Sequence, residues 1–192
     1  MIFSTYIFTL VFLPAVLILY FGISRYVSRK IQHLFLVFAS LVFFGYNHIF
    51  YVWLILISIS VNYVMATGVQ NAARAIWKKL FFVTGILFNV CLLGYYKYYN
   101  FFLDSLNTVF DTHFVLKGIM LPLGISFFTF QQIAYLISVN KRQEKVPGVL
   151  DYVLFITFFP QLVAGPIVFS QDVMTQYQDD KNRFFNVDNF AQ

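Results

Sequence analysis

Repeated apolar runs, most of them approaching the length of a membrane span, constrain this chain more than any other feature of its sequence. A helix needs about 20 residues to cross the roughly 30 Å hydrocarbon core of a bilayer. The sequence is 60% hydrophobic and only 11% charged, so its charges are too few to give so much apolar material a water-soluble surface. We therefore predict an all-α, polytopic transmembrane protein with about five to six membrane segments.

Five of these segments are predicted at residues 5–24, 34–46, 50–66, 80–96 and 119–138, and the second is short for a full crossing. Pro14 should kink the first segment, because proline lacks a backbone N–H donor. A sixth stretch, residues 150–169, contains Pro160, Gly165 and Pro166 and must lose at least one helical hydrogen bond. It is either a re-entrant element that lines a cavity or an ordinary proline-kinked span.

Two further stretches differ from the membrane segments. Residues 98–114 carry apolar side chains at spacings of three to four, which predicts an amphipathic helix that lies on the outer surface or packs on the bundle. Residues 170–192 are polar and predict a loop that leads into a missing part of the protein. We expect residues 1–192 to be one membrane domain, the N-terminal part of a longer chain.

The basic residues indicate orientation. Every second connection between predicted segments is basic: these connections carry Arg25, Arg29 and Lys30, then Arg74, Lys78 and Lys79, then Lys141, Arg142 and Lys145. Lys and Arg are retained on the cytoplasmic side of a membrane, so this alternation places the N-terminus outside. The net charge of +5 is explained by these clusters, and no nucleic-acid partner is expected.

Residues suited to catalysis or metal binding are scarce. His33 is expected in a basic loop, His48 in a short outer turn and His113 beside the amphipathic helix, where a solvated or capping role is favoured. None has Cys, Asp or Glu at metal-ligand spacing, and the single cysteine, Cys91, has no partner for a disulfide within the chain. The residues themselves therefore predict no catalytic group and no metal site.

Polar residues inside the predicted segments are amides and hydroxyls, namely Asn62, Asn89, Ser126, Thr129, Gln131, Gln132, Thr157 and Gln161. Hydrogen bonds between helices are the favoured role for each, with substrate contact as the alternative. The predicted segments hold no carboxylate except Asp151 at the start of the sixth, which counts against an ion-coupled transporter.

Two long blocks resemble a known family. Residues 121–131 read LPLGISFFTFQ and are followed by YLI at 135–137, and residues 151–167 read DYVLFITFFPQLVAGPI. They resemble the signature of the membrane-bound O-acyltransferase family, in its alginate O-acetyltransferase subgroup. Weaker matches are SISVNY at 58–63 and LGYYKYYNFF at 93–102. The sequence departs from the family pattern at Ser138, Asn140 and Phe169, which bears on subgroup and substrate.

The resemblance implies an enzyme of the cell membrane, inner or cytoplasmic, that takes part in alginate biosynthesis or another polysaccharide O-acetylation. It implies transfer of an acyl group, most often acetyl, from a cytoplasmic donor to hydroxyls of an extracellular polysaccharide or cell-wall polymer. The donor would be acetyl-CoA or an acyl carrier used as a co-substrate, with no bound cofactor, and an extracytoplasmic partner protein would complete delivery.

In fold, the resemblance implies a helical ring around a thin centre pierced by a tunnel. The tunnel-lining candidates in this sequence are Pro122, Ser126, Gln131, Gln161, Gly165 and Pro166. The family's catalytic histidine belongs to a later Trp-His segment that would lie beyond Gln192, so no catalytic residue is assigned here. The alternatives are a catalytically incomplete membrane scaffold, including a natural truncation, and a transporter-like protein for a lipid-linked or sugar substrate.

Overall fold

A computed structural model describes residues 6–46, 48–164, 173 and 175–177. The described part of the chain is helical and contains no strand, as predicted. Its α-helices are α1 (Leu13–Ile23), α2 (Arg29–Gly45), α3 (Phe50–Asn71), α4 (Ala75–Leu93), α5 (Tyr99–Phe110), α6 (Ile125–Asn140), α7 (Val149–Thr157) and α8 (Phe159–Ala164). Two π-helical turns, Phe8–Phe12 and Gly94–Tyr98, precede α1 and α5.

Two of the described helices are long and apolar enough to cross a membrane, namely Phe50–Asn71 and the continuous helix Ala75–Phe110. Shorter apolar helices occupy Phe8–Ile23 and Val149–Gln161. Large apolar side chains such as Trp53, Leu87 and Val90 face outward from α3 and α4, as expected where lipid covers the surface. The chain is a membrane protein, and the larger number of segments stays a prediction.

The main core lies between α3, α4 and α6. Its buried members include Ile55, Ile59 and Leu136, which come from α3 and α6. Glycine allows the helices to approach closely, because a Cβ atom at Gly68 would lie 2.6 Å from Cγ of Phe81. α3 and α4 are therefore closely packed, and α7 contacts α3 and α6 as well as α2.

A second, aromatic core joins the start of the chain to α2 and α8. Phe8, Phe43 and Phe159 are buried in it. The ring centroid of Phe159 lies 6.0 Å from that of Phe8, 5.3 Å from that of Phe12 and 5.6 Å from that of Phe43. Edge-to-face and tilted contacts at these distances stabilise aromatic clusters, so α8 is anchored near the C-terminal end of α2.

Several helix limits differ from the sequence prediction. α6 begins at Ile125, because Gly124 adopts the left-handed conformation with φ 69° and Pro122 precedes it. The π-helical turn Gly94–Tyr98 carries α4 directly into α5, so α5 continues a long helix. No residue of α5 is fully buried, and whether this segment lies on the outer surface or packs on the bundle stays a prediction.

The three basic connections meet at one end of the bundle. Lys78 Nζ donates to the carbonyl of Asn140 at 2.6 Å, and the backbone N–H of Val146 donates to Gln70 Oε1 at 2.6 Å. His33, near the start of α2, contacts Asp151, near the start of α7. We call this the basic end, and the alternation read from the sequence agrees with it.

Candidate functional site

The sixth predicted segment is broken at Phe158. α7 ends at Thr157, Phe158 takes ψ 105°, and α8 begins at Phe159. The nine residues of α7 rise about 14 Å from the basic end, which is roughly half of the hydrocarbon thickness. Ser40 Oγ of α2 accepts a hydrogen bond at 3.3 Å from the backbone N–H of Phe159. The Ser40 hydroxyl therefore provides a partner for one backbone N–H at the break. Such a partner is required wherever a helix is broken inside a bilayer.

Buried polar atoms near this break lack hydrogen-bond partners among the described residues. Both side-chain polar atoms of Gln161 are unpartnered. Gln131 Nε2 donates to the carbonyl of Phe155 at 3.2 Å, whereas its Oε1 is unpartnered. The hydroxyl of Thr129 is buried and unpartnered as well, and so are those of Tyr135 and Tyr152, whose rings lie 5.0 Å apart between the break and the basic end. An unsatisfied buried polar group costs about 1–3 kcal/mol, so these atoms favour water or a polar ligand along α6, α7 and α8.

The structure separates the six tunnel-lining candidates. Gln131 and Gln161 fall in the region of unpartnered polar atoms. Pro122 is buried just before α6, and Ser126 Oγ lies 3.4 Å from Lys97 Nζ, toward the opposite end from the basic connections. Gly165 and Pro166 lie outside the described residues, so the re-entrant element and all six lining roles stay predictions.

Other polar residues of the apolar helices pair with one another. Asn89 Nδ2 donates to Asn62 Oδ1 at 2.6 Å, and this contact joins α3 to α4. Gln132 Nε2 donates to Ser58 Oγ at 3.2 Å and joins α6 to α3. The favoured role of Asn62, Asn89 and Gln132, hydrogen bonding between helices, is thus observed, and these residues have structural partners.

An interaction between His33 and Asp151 was missed by the sequence interpretation. His33 is not in a loop but on α2, where it is only 6% exposed, and its Nδ1 lies 3.0 Å from Asp151 Oδ1 of α7. The expectation of a solvated His33 is wrong, because folding packs the start of α7 against α2. Asp151 was the available signal, since a carboxylate at the start of an apolar segment needs a partner.

A cleft of about 560 Å³ lies next to this pair, within the usual size range of small-molecule sites. It is lined by Leu13, Val16, Leu17, Tyr20, Phe21, Arg29, Gln32, His33, Leu36, Phe158, Phe159, Pro160, Gln176 and Tyr177. The ring of Tyr177 lies 5.9 Å from His33 and 5.7 Å from Phe158. Burial, with a smaller contribution from Tyr20, raises the pKa of Tyr177, so its phenol stays neutral.

No group of three His, Cys, Asp or Glu side chains that could hold a metal ion occurs in the described part of the chain. The arrangement instead offers two polar features: the unpartnered amides beside the helix break, and the cleft at the basic end. Neither contains a nucleophile that a neighbouring base activates.

Comparison with known proteins finds relatives along the whole of this chain. It is 35% identical over 217 residues to a peptidoglycan O-acetyltransferase of Helicobacter pylori, with 100% of this chain and 41% of that protein covered. It is 34% identical over 203 residues to a probable alginate O-acetylase of Pseudomonas aeruginosa, with 100% of this chain and 37% of the relative covered. This chain is a relative of bacterial O-acetyltransferases of the membrane-bound O-acyltransferase type.

A probable alginate O-acetylase of Azotobacter vinelandii is 34% identical over 202 residues, again along 100% of this chain. The resemblance read from residues 121–131 and 151–167 is therefore confirmed. The chain spans about two fifths of the length of these O-acyltransferase relatives, at 41% and 37% for the first two. No family model matches the chain, and no solved structure matches it significantly.

Proposed function

We propose that the complete protein is a membrane-bound O-acyltransferase that transfers acyl groups, acetyl above all, to hydroxyls of an extracellular polysaccharide or cell-wall polymer. The observation that carries this proposal is the similarity along 100% of the chain to proteins named for O-acetylation of peptidoglycan and of alginate. The acceptor class follows from those two names, since both polymers present sugar hydroxyls outside the cytoplasm.

The proposed orientation places the basic end in the cytoplasm and the N-terminus outside, in a multi-pass protein of the inner or cytoplasmic membrane with about five to six segments. Two hydrogen bonds support it, because they bring two basic connections together. One runs from Lys78 Nζ to the carbonyl of Asn140, and the other runs from the backbone N–H of Val146 to Gln70 Oε1. A donor such as acetyl-CoA or an acyl carrier would then meet the protein at this end.

In this account the region around the helix break lines a path between the two membrane faces. Gln131 and Gln161 support that role, because buried amide atoms without partners favour a hydrated or ligand-lined space over lipid. A path also spares the charged donor from crossing hydrocarbon, where each charge costs several kcal/mol or more. The bond that breaks is the thioester C–S bond of the donor, and the bond that forms is an ester C–O bond to the acceptor.

The hydroxyl proton must pass to the departing thiol through a base, and a histidine in a later segment fits that task. Pro122, Ser126, Gly165 and Pro166 are proposed to shape the same path. An extracytoplasmic partner protein is proposed to carry the acyl group to the polymer.

The test is acyl transfer by the purified full-length protein together with its extracytoplasmic partner protein, with radiolabelled acetyl-CoA as donor and either peptidoglycan fragments or mannuronic acid oligomers as acceptor. The proposal expects label in an ester that mild base hydrolyses, and no label transfer by residues 1–192 alone. A scaffold would transfer nothing in either form. A transporter would move acceptor across vesicles without any donor, and that result would replace the present proposal.

A further inference from the structure

The part of the cleft next to His33, at the basic end, is lined by polar side chains, and we call it the polar part of the cleft. Gln32 lines it and is only 1% exposed, yet its Nε2 has no hydrogen-bond partner among the described residues. Arg29 lines the same cleft, and Lys30 adds a second positive charge in the first turn of α2. The helix begins there without a side-chain cap on its first N–H groups, so its N-terminus adds partial positive charge. Together, these positive charges and the unpartnered donor favour the binding of an anion at this end of the cleft.

The remainder of the cleft is apolar. On α1 the lining residues extend from Phe21 near the basic end to Leu13, eight residues deeper, which corresponds to about 12 Å along the helix. Leu17 and Leu36 face this stretch from α1 and α2, and Phe158 and Phe159 close it at the helix break. A ligand that fills the whole cleft therefore needs an anionic head and a hydrocarbon chain.

We propose that the cleft binds one anionic glycerophospholipid of the cytoplasmic leaflet, with its phosphate at Gln32 and the start of α2. One acyl chain lies along α1 toward Phe159. Basic pockets between transmembrane helices on the cytoplasmic side are known to suit anionic lipid head groups. Leu17 on the wall of the cleft is 38% exposed, so the cleft is open to its surroundings and a lipid can enter it from the bilayer. This inference depends on the membrane location and orientation, and acyl transfer is not required for it.

A lipid phosphate in the polar part of the cleft also explains why Gln32 Nε2 has no hydrogen-bond partner among the described residues. A phosphate oxygen accepts the amide hydrogen bond that Gln32 Nε2 cannot make to a described residue. His33 Nδ1 is not available to the phosphate, because it lies 3.0 Å from Asp151 Oδ1. This contact joins α2 to α7.

The experiment is native mass spectrometry of the full-length protein, delipidated in detergent and then equilibrated with equal amounts of phosphatidylglycerol and phosphatidylcholine of the same acyl chains. We expect phosphatidylglycerol adducts to dominate by about tenfold, because both lipids carry the phosphate but the choline cation of phosphatidylcholine is repelled by Arg29 and Lys30. Arg29→Gln and Gln32→Glu should each reduce these adducts about tenfold, because one removes a cation and the other places a carboxylate beside the phosphate.

Lys141→Gln is the matched control, since it removes one charge from an exposed position in another basic connection, and its adducts should equal those of the original protein. Leu17→Trp should also reduce binding, because the larger side chain fills the apolar part of the cleft and leaves its polar part unchanged. Equal binding of the two lipids, or unchanged adducts in Arg29→Gln and Gln32→Glu, would overturn the proposal. Displacement of the lipid by millimolar inorganic phosphate would overturn it as well, since the site would then recognise a free anion.

Discussion

At the scale of single residues, the contact between His33 and Asp151 joins two helices that lie far apart in sequence. His33 is 6% exposed, and the side chain of Asp151 is 30% exposed, so one partner is buried and the other reaches the surface. Removing one partner leaves the other without its hydrogen bond in a poorly solvated place. The pair therefore contributes to the docking of α7 on α2.

The variant His33→Ala should lower the free energy of unfolding of the full-length protein by about 1 kcal/mol. Thermal unfolding in detergent measures this as a lower melting temperature. His113→Ala is the control, because His113 is exposed and its loss should leave the melting temperature unchanged. Equal melting temperatures for both variants would show that the His33 contact is not stabilising.

Gln161 is the residue that most directly links the helix break to the proposed reaction. Gln161→Leu keeps the size of the side chain and removes both unpartnered polar atoms, so acetyl transfer by the full-length protein should fall about tenfold, as for one lost hydrogen bond in the transition state. Protein yield in the membrane should be unchanged. Gln143→Leu, at an exposed position of the basic end, should transfer acetyl groups normally. Unchanged turnover in Gln161→Leu would remove this residue from the path.

At the scale of helices, close approach of α3 and α4 depends on a residue without a side chain. In Gly68→Ala the new methyl group would lie 2.6 Å from Cγ of Phe81, so the ring or the helices must move, at a cost of about 1–3 kcal/mol. Gly22→Ala is matched, because Gly22 lies in α1 with nothing within 4 Å of the new atom, and helix propensity alone should favour alanine there. Thermal unfolding should separate the two variants, and equal stability would contradict tight packing at Gly68.

The sequence predicted the existence of these helices better than their ends. Apolar runs located α3 and α4, because lipid and core both select apolar side chains. The helices continue past those runs to Asn71 and start earlier at Ala75, since backbone hydrogen bonds do not require an apolar side chain. The join of α4 to α5 was missed, because no residue pattern marks the π-helical turn at Gly94–Tyr98.

The candidate site was predictable only in part. Pro160 indicated a broken helix, and the structure has the break at Phe158, two residues earlier. Pro160 itself lies in the first turn of α8, where its missing N–H leaves no helical hydrogen bond unmade. The cleft could not be predicted, because it depends on how α1, α2 and α8 pack. His33 and Asp151 are separated by 118 residues, and no local spacing connects them.

At the scale of the whole molecule, the proposed orientation places the basic end and the end near His113 on opposite sides of the membrane. In a full-length background with Cys91→Ser and any further cysteine replaced by serine, single cysteines at Lys145 and at His113 should react differently with a membrane-impermeant maleimide. Intact spheroplasts should label the cysteine at position 113, and the cysteine at 145 should react only after lysis. Labelling of position 145 in intact spheroplasts would reverse the proposed orientation.

The central claim is that the complete protein carries an acyl group from one membrane face to a sugar hydroxyl. Its most direct test uses the full-length protein in sealed vesicles, with labelled acetyl-CoA on the basic side and the acceptor polymer, together with any partner protein, on the other side. We predict base-labile acetyl esters on the acceptor, formed only when the donor meets the basic end. Absence of ester from a correctly inserted full-length protein that retains its partner would contradict the account.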